Sequence, residues 1–129
     1  MRSHGAGTIQ LRRAYDPPSG DDGFRVLVDR VWPRGRTRQS LQLDQWAPNL
    51  GPSHALRRWF GHDPTRWPDF QSRYRAELAE SEQSALLDEL AQRAHSTTVT
   101  LVYGARDEEH NQARVLADEI AQRLGRGAE

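Results

Sequence analysis

The chain has 129 residues, no cysteine, and 18 basic residues against 18 acidic ones, so its formal net charge is zero. This composition excludes a disulfide framework, a thiolate zinc site and a cysteine nucleophile. The balanced charge disfavours non-specific binding to nucleic acid, which depends on releasing counterions from the phosphates. No apolar run approaches the roughly 18 residues that a membrane helix needs, so we expect a cytoplasmic protein with no membrane partner.

The first half of the chain predicts a tail, two strands and an irregular segment. Residues 1–7 are expected to form a disordered tail, and residues 8–15 alternate enough to predict a strand with one polar face. Turn-forming residues over 16–23 end that strand. Residues 24–29 predict a second strand that is buried on both faces. The connection between the strands is short for a parallel crossover, so their relative direction is left open. Residues 41–50 show no regular pattern.

The second half predicts four helices and one further strand. Ser53 is the predicted N-cap of a short helix. The spacing of large apolar side chains over residues 67–78 predicts a second helix, and residues 83–94 predict a third. Residues 97–103 are β-branched and apolar, which is typical of a central strand. Asp107 is the predicted N-cap of the last helix.

This order of elements predicts an α/β fold: a single small Rossmann-like domain over residues 8–125, with a mostly parallel sheet and helices on both faces. The helices between strands 24–29 and 97–103 favour a parallel pairing of those two strands. A right-handed crossover would then bring their carboxyl ends to the same edge of the sheet. Open α/β sheets bind their ligands at that edge.

The loop that follows the second predicted strand is rich in arginine. Residues 25–38 contain five arginines and a single acid, Asp29. Because a guanidinium can hold a phosphate or carboxylate through two parallel hydrogen bonds, we assign anion binding to Arg30 and Arg34. Trp32 would form a wall of the pocket, and Asp29 would orient an arginine or a reacting group. The interpretation left open is a surface loop whose arginines pair with the protein's own acids.

Residues 103–111 follow the third predicted strand and carry further polar groups. Asp107 and His110 are assigned acid–base function, since a histidine titrates near neutral pH, while Tyr103 and Asn111 would provide hydrogen bonds. The open alternative is that Asp107 only caps a helix and the other side chains face solvent. No cofactor is predicted. A divalent metal held by His62, His110 and two carboxylates is kept as a minor alternative, because the ligand types fit but their spacing does not.

Residues 27–35, with the sequence LVDRVWPRG, resemble the signature of the YeaO-like family of uncharacterised bacterial proteins. Further matching positions are Ala47, Pro48, Pro52, Ser53, Leu56, Arg57, Trp59, Phe60, residues 62–64, Phe70, Tyr74, Glu77, Leu78 and residues 103–111. The resemblance covers residues 9–124 and implies a Rossmann-like α/β fold. It implies no established reaction.

The sequence therefore predicts an anion-binding α/β protein whose small anionic ligand lies at the carboxyl ends of strands 24–29 and 97–103. It could be an enzyme that acts on a nucleotide-like or other phosphorylated substrate. The alternative is a non-catalytic interaction module that binds an acidic protein or single-stranded nucleic acid through the Arg-rich loop 30–38. An enzyme is expected to gather its site residues around one concave pocket, whereas a module would spread its arginines over a flat or convex face. The sequence does not give the oligomeric state.

Overall fold

The computed structural model describes residues 8–127, so the tail expected at residues 1–7 lies outside the described part and stays a prediction. In chain order the strands and α-helices are β1 (Ile9–Arg13), β2 (Phe24–Leu27), α1 (Arg38–Leu41), β3 (Gln45–Trp46), α2 (His54–Phe60), α3 (Trp67–Leu78), α4 (Ser81–Ala94), β4 (Val99–Tyr103) and α5 (Gln112–Gly127). Short 3-10 turns occur at Pro48–Leu50 and Pro64–Arg66. Within the described range no helix is long and apolar enough to cross a bilayer.

The strands form one parallel sheet in the order β1-β4-β2-β3. β4 lies in the interior, where Leu101 is aligned with Leu11 of β1 and with Val26 of β2. The predicted α/β fold and the parallel pairing of the second and third predicted strands are thus confirmed. β1, whose direction the sequence left open, is also parallel to β4. β3 was not predicted, because a two-residue strand is too short to show a periodic pattern.

The two faces of the sheet are covered unequally. Side chains that alternate along a strand point to opposite faces. Val26 and Leu101 join the large core, to which helices α2 to α5 all contribute. Leu27 and Val102 point the other way and pack with Leu41 of the single-turn helix α1. Helices therefore lie on both faces, as predicted, but the four longer ones share a face.

A buried ion pair lies at the amino end of β2, away from the predicted site. Asp22 and Arg25 are 1% and 4% exposed. The Arg25 Nη1 atom lies 2.6 Å from the Asp22 carboxylate, and Arg12 Nε lies 3.1 Å from the other oxygen. Burial favours the neutral form of Asp22. The hydrogen bonds from the Ser19 backbone, Arg25 and Arg12 nevertheless hold its pKa below the ordinary value.

The helix ends test the predicted caps. Ser53 caps α2 as predicted, since its hydroxyl accepts a hydrogen bond from the Leu56 backbone. The prediction that Asp107 caps the last helix is wrong, because α5 begins at Gln112. Asn111 holds the capping position, with its side-chain oxygen 3.3 Å from the Arg114 backbone nitrogen. Asp107 instead shapes the turn before the helix.

Candidate functional site

A cavity of about 380 Å³ lies at the carboxyl ends of β2 and β4. The loops after β1, β2 and β4 contribute to it, and helix α2 closes one side. The lining side chains and backbone belong to Tyr15, Asp29, Arg30, Val31, Trp32, Pro33, Pro52, His54, Arg57, Arg58, Phe60, His62, Phe70, Gly104, Ala105, His110, Asn111 and Gln112. The two strand ends that the sequence paired therefore meet at one concave surface.

The structure brings together five of the eight side chains named from the sequence: Asp29, Arg30, Trp32, His110 and Asn111 line the cavity. The other three do not line it. Arg34 is exposed on the loop, and its backbone carbonyl accepts a hydrogen bond from the Tyr15 hydroxyl. Tyr103 is 3% exposed and belongs to the core, because it points to the same face as Leu101. The Asp107 carboxylate contacts the ring of His110 instead.

Asp29 lines the cavity just after β2, and both of its carboxylate oxygens accept hydrogen bonds. One oxygen accepts a hydrogen bond of 2.8 Å from the Gly104 backbone N–H, and the other accepts one from the Gln112 amide. Burial raises the pKa of Asp29 to about 6, although these hydrogen bonds and the charge of Arg57 oppose the rise. A Cβ atom at residue 104 would lie 2.9 Å from the carboxylate, so any larger residue there would displace the Asp29 side chain from its present position.

Arg30 is engaged by backbone and not by an acid. Its Nη2 and Nε atoms donate to the carbonyls of Gly51 and Pro52 over 2.8 and 3.0 Å. The loop fits closely against Arg30, because a Cβ atom on residue 51 would lie 2.8 Å from the Arg30 backbone nitrogen. The alternative left open above, in which arginines of the Arg-rich loop 30–38 pair with the protein's own acids, does not hold for Arg30 or Arg34 among residues 8–127. Across residues 8–127 the salt bridges of the protein involve other arginines.

His110 and Asp107 form a linked pair at the side of the cavity. His110 Nδ1 lies 2.9 Å from an Asp107 carboxylate oxygen. Backbone N–H groups of Glu109 and His110 bind the other oxygen. The bond from Glu109 and the contacts with His110 lower the pKa of Asp107. The His110 ring also packs edge-to-face on Trp67, with ring centres 5.4 Å apart. Asn111 is satisfied internally, by Asp107 and Arg114.

Trp32 is fixed in the cavity wall by contacts on two sides. Its indole N–H donates to the Arg36 carbonyl over 2.7 Å. Its ring meets Trp46 edge-to-face at 5.3 Å, and the Trp46 N–H donates to the Asp29 carbonyl over 2.8 Å. The short strand β3 thus supports the loop that carries the predicted site residues.

The sequence analysis missed a row of basic side chains on helix α2. Arg57 and Arg58 lie three and four residues after His54, so both arginines share a helix face with His54. His62 follows just beyond the helix. Its backbone has a φ of 59°, a left-handed conformation that non-glycine residues seldom adopt. We call these four residues the basic stripe. In the part of the chain that the structure describes, none of their side chains makes a hydrogen bond or salt bridge.

The described residues contain no ligand cluster for the divalent metal that the sequence left as an alternative. Among residues 8–127, no group of three or more histidine, aspartate or glutamate side chains is arranged to hold an ion. His62 and His110 both line the cavity, but Asp63, next to His62, is bound to Thr65 and lies 3.7 Å from Arg66. Asp107 is bound to His110 itself.

Comparison with known proteins gives relatives but no activity. A family model described as DUF488-N3i, inactive DUF488-N3 subclade, matches residues 8–129. The uncharacterised protein YeaO of Escherichia coli K12 is 43% identical over 110 residues, which cover 85% of this chain and 94% of that protein. Uncharacterised proteins of Mycobacterium bovis and Mycobacterium tuberculosis are 38% identical over 109 residues, or 84% of this chain and 90% of theirs. No solved structure matches.

Proposed function

The chain belongs to the YeaO-like family, within the inactive DUF488-N3 subclade, and from that premise we propose that it binds a small organic anion in the cavity without transforming it. The resemblance drawn from residues 27–35 is confirmed by the same matches. The word inactive in the family description supports a binding role over the enzymatic role that the sequence left open.

The charge of the cavity lining carries this proposal. Six basic residues line it, and Asp29 is the single acid among the lining residues. The six are Arg30, His54, Arg57, Arg58, His62 and His110. Counted with neutral histidines, as in the net charge of zero for the whole chain, the lining has three arginines against one acid, so a positive excess is local to the cavity. A cleft lined by one sign of charge concentrates counterions and ligands of the opposite sign.

Arg57 and Arg58 are better placed to bind the anion than the arginines named from the sequence. Their guanidinium groups have no hydrogen-bond or salt-bridge partner within residues 8–127, so their donors are free for a ligand. Arg30 already donates to two backbone carbonyls, and Arg34 is not among the residues that line the cavity. We assign the anion to Arg57 and Arg58, and we assign to Arg30 the shape of the cavity wall.

The groups proposed for acid–base chemistry are engaged in holding the site together. Both Asp29 oxygens accept protein hydrogen bonds, and Asp107 binds one nitrogen of His110. These contacts support a role in positioning the ligand. In the enzymatic alternative Asp29 and His110 would exchange protons with a phosphorylated substrate and Asp107 would orient His110, because a raised carboxyl pKa near 6 is the kind of value that acid–base catalysis uses.

The test is a thermal-shift and calorimetric titration of the protein with inorganic phosphate, ribose 5-phosphate and citrate. We expect at least one of them to raise the Tm, since a ligand at about a hundred times its Kd adds about 2.7 kcal/mol of stability. The double variant Arg57→Gln/Arg58→Gln should lose this response. The matched control Arg34→Gln/Arg38→Gln removes the same charge from exposed positions outside the cavity lining and should retain it. Equal losses in both variants, or no response to any anion, would contradict the proposal.

A second candidate is the interaction module, which the exposed side of the Arg-rich loop favours. Val31 and Trp46 are 57% and 42% exposed, and Arg34 on the loop and Arg38 on α1 are also exposed. Apolar and cationic groups together suit an acidic peptide or single-stranded nucleic acid. Here the Arg34→Gln/Arg38→Gln variant should lose binding of a single-stranded oligonucleotide or an acidic peptide, and the Arg57→Gln/Arg58→Gln variant should keep it.

A cytoplasmic location remains part of the proposal and is checked by cell fractionation.

A further inference from the structure

We infer that the ligand has two parts, an anionic group at the basic stripe and a flat ring whose N–H donors reach Asp29. This inference rests on the proposed function, because it assigns a chemical class to the anion in the same cavity. Three features of the lining carry it: a single acid beside cations that have no hydrogen-bond or salt-bridge partner among residues 8–127, the aromatic walls, and the volume.

The single acid in the lining determines which chemical group of the ligand can lie beside it. An ionised carboxylate only accepts hydrogen bonds, and its two oxygens offer about four acceptor sites. Asp29 uses one site on each oxygen for Gly104 and Gln112, so further sites remain for a ligand in the cavity. An anionic group placed there would meet like charge. The ligand must therefore turn N–H donors towards Asp29 and its anionic group towards Arg57, Arg58 and the two histidines of the stripe.

The aromatic side chains favour a flat ring between these two ends. Phe60, Phe70, Trp67 and His110 form a continuous series of ring contacts, with successive centres 4.6, 5.4 and 5.4 Å apart. Three of them line the cavity. Trp32 contributes a further fixed ring from the loop after β2. Rigid aromatic surfaces with a few placed polar groups are typical of pockets that bind planar ligands.

The volume limits the size of that ligand. At about 380 Å³ the cavity lies near the lower end of the range of about 300–1,000 Å³ for small-molecule sites. It suits one ring system with one anionic group and is small for a dinucleotide. A nucleoside monophosphate has the required parts, and guanine presents two adjacent N–H donors that match the two oxygens of a carboxylate. The inference is therefore a nucleoside monophosphate with a guanine-type donor edge.

Calorimetry at pH 7.5 with four ligands separates the contribution of the ring to affinity from that of the phosphate. We expect guanosine 5′-monophosphate to bind about tenfold or more tightly than adenosine 5′-monophosphate, whose amino group offers one donor beside an acceptor nitrogen. It should also bind more tightly than ribose 5-phosphate, which lacks the ring, and than guanosine, which lacks the phosphate. Asp29→Asn should abolish the preference for guanosine 5′-monophosphate over adenosine 5′-monophosphate, because asparagine no longer offers two acceptor oxygens. Arg57→Gln/Arg58→Gln should weaken the binding of all three phosphates by a larger factor than the binding of guanosine.

The outcomes that overturn this inference differ from those that overturn the proposed function. If ribose 5-phosphate binds as tightly as both nucleotides, or if adenosine and guanosine monophosphates bind equally, the two-part ligand is wrong while anion binding stands. If citrate binds and no nucleotide does, the ligand class is wrong for the same site. If none of the anions binds, the proposed function itself fails. The affinities of the parent protein for guanosine and adenosine monophosphates test the two-part ligand even if a variant does not fold.

Discussion

Replacing Asp29 by asparagine should make the protein more stable at neutral pH. The raised pKa of Asp29, about 6 against an ordinary 3.8, means that the folded state holds this proton more tightly than the unfolded chain does. The stabilisation from this proton is complete below pH 3.8 and is lost as the pH rises towards 6. Above pH 6 the folded protein therefore carries a buried carboxylate at a cost, and asparagine removes that cost.

The size of the effect follows from the two pKa values. They differ by about two pH units, and each unit corresponds to about 1.4 kcal/mol, so the ionised form lowers the free energy of unfolding by about 3 kcal/mol. Asparagine can keep both contacts: its carbonyl oxygen accepts from Gly104, and its amide donates to Gln112 once that side chain turns its own amide over. For a chain of this length 3 kcal/mol raises the Tm by about 10 °C.

The assay is urea denaturation of the parent and of Asp29→Asn at intervals between pH 4 and pH 8. The free energy of unfolding of the parent relative to the variant should fall between pH 4 and pH 6 and then level off. Asp16→Asn serves as the control, because Asp16 is exposed and should show no such difference. Parallel pH profiles for parent and Asp29→Asn, or a variant that is less stable at pH 7.5, would refute the burial argument for Asp29.

Three further substitutions test the packing around the site and at the far end of the sheet by urea denaturation. Arg25→Ala should cost about 3–5 kcal/mol, since it leaves the buried carboxylate of Asp22 without its closest partner; a loss under 1 kcal/mol would contradict this. Arg30→Ala should cost about 1–3 kcal/mol by removing the donors of two backbone carbonyls, and unchanged stability would show that these bonds contribute nothing. Gly104→Ala should cost about 1–3 kcal/mol by overpacking against Asp29, and Asp29→Asn should not rescue it, because the clash is steric.

The sequence predicts the large elements of this fold for physical reasons. The strands at Phe24–Leu27 and Val99–Tyr103 are interior strands of the sheet, so they show as continuous apolar runs. The helix Trp67–Leu78 buries one face and so shows a helical period. Elements shorter than a period leave no such trace, which is why β3 was not found. The start of α5 was misplaced because Asp107 and Asn111 can both cap a helix, and only tertiary contacts decide which one does.

The candidate site was predicted in part, for a related reason. Parallel strands with helical connections bring their carboxyl ends together, and that topology alone places Asp29 near Gly104 and His110. The basic stripe was not predicted, although the spacing of His54, Arg57 and Arg58 is visible in the sequence. The period shows that these side chains share a helix face. It does not show what that face meets, which depends on how α2 packs through Leu56 and Phe60 into the core.

The most recognisable segment of the chain therefore builds the cavity more than it supplies the ligand contacts. Arg30 fastens the loop after β2 to the carbonyls that precede α2, and so fixes the helix that carries the stripe. Trp32 closes the loop on itself through the Arg36 carbonyl, and the Asp29 carbonyl accepts a hydrogen bond from Trp46. Three signature residues thus hold the frame through their side chains or backbone. The free donors lie on the short helix α2, where an arginine can turn towards a ligand without giving up a structural hydrogen bond.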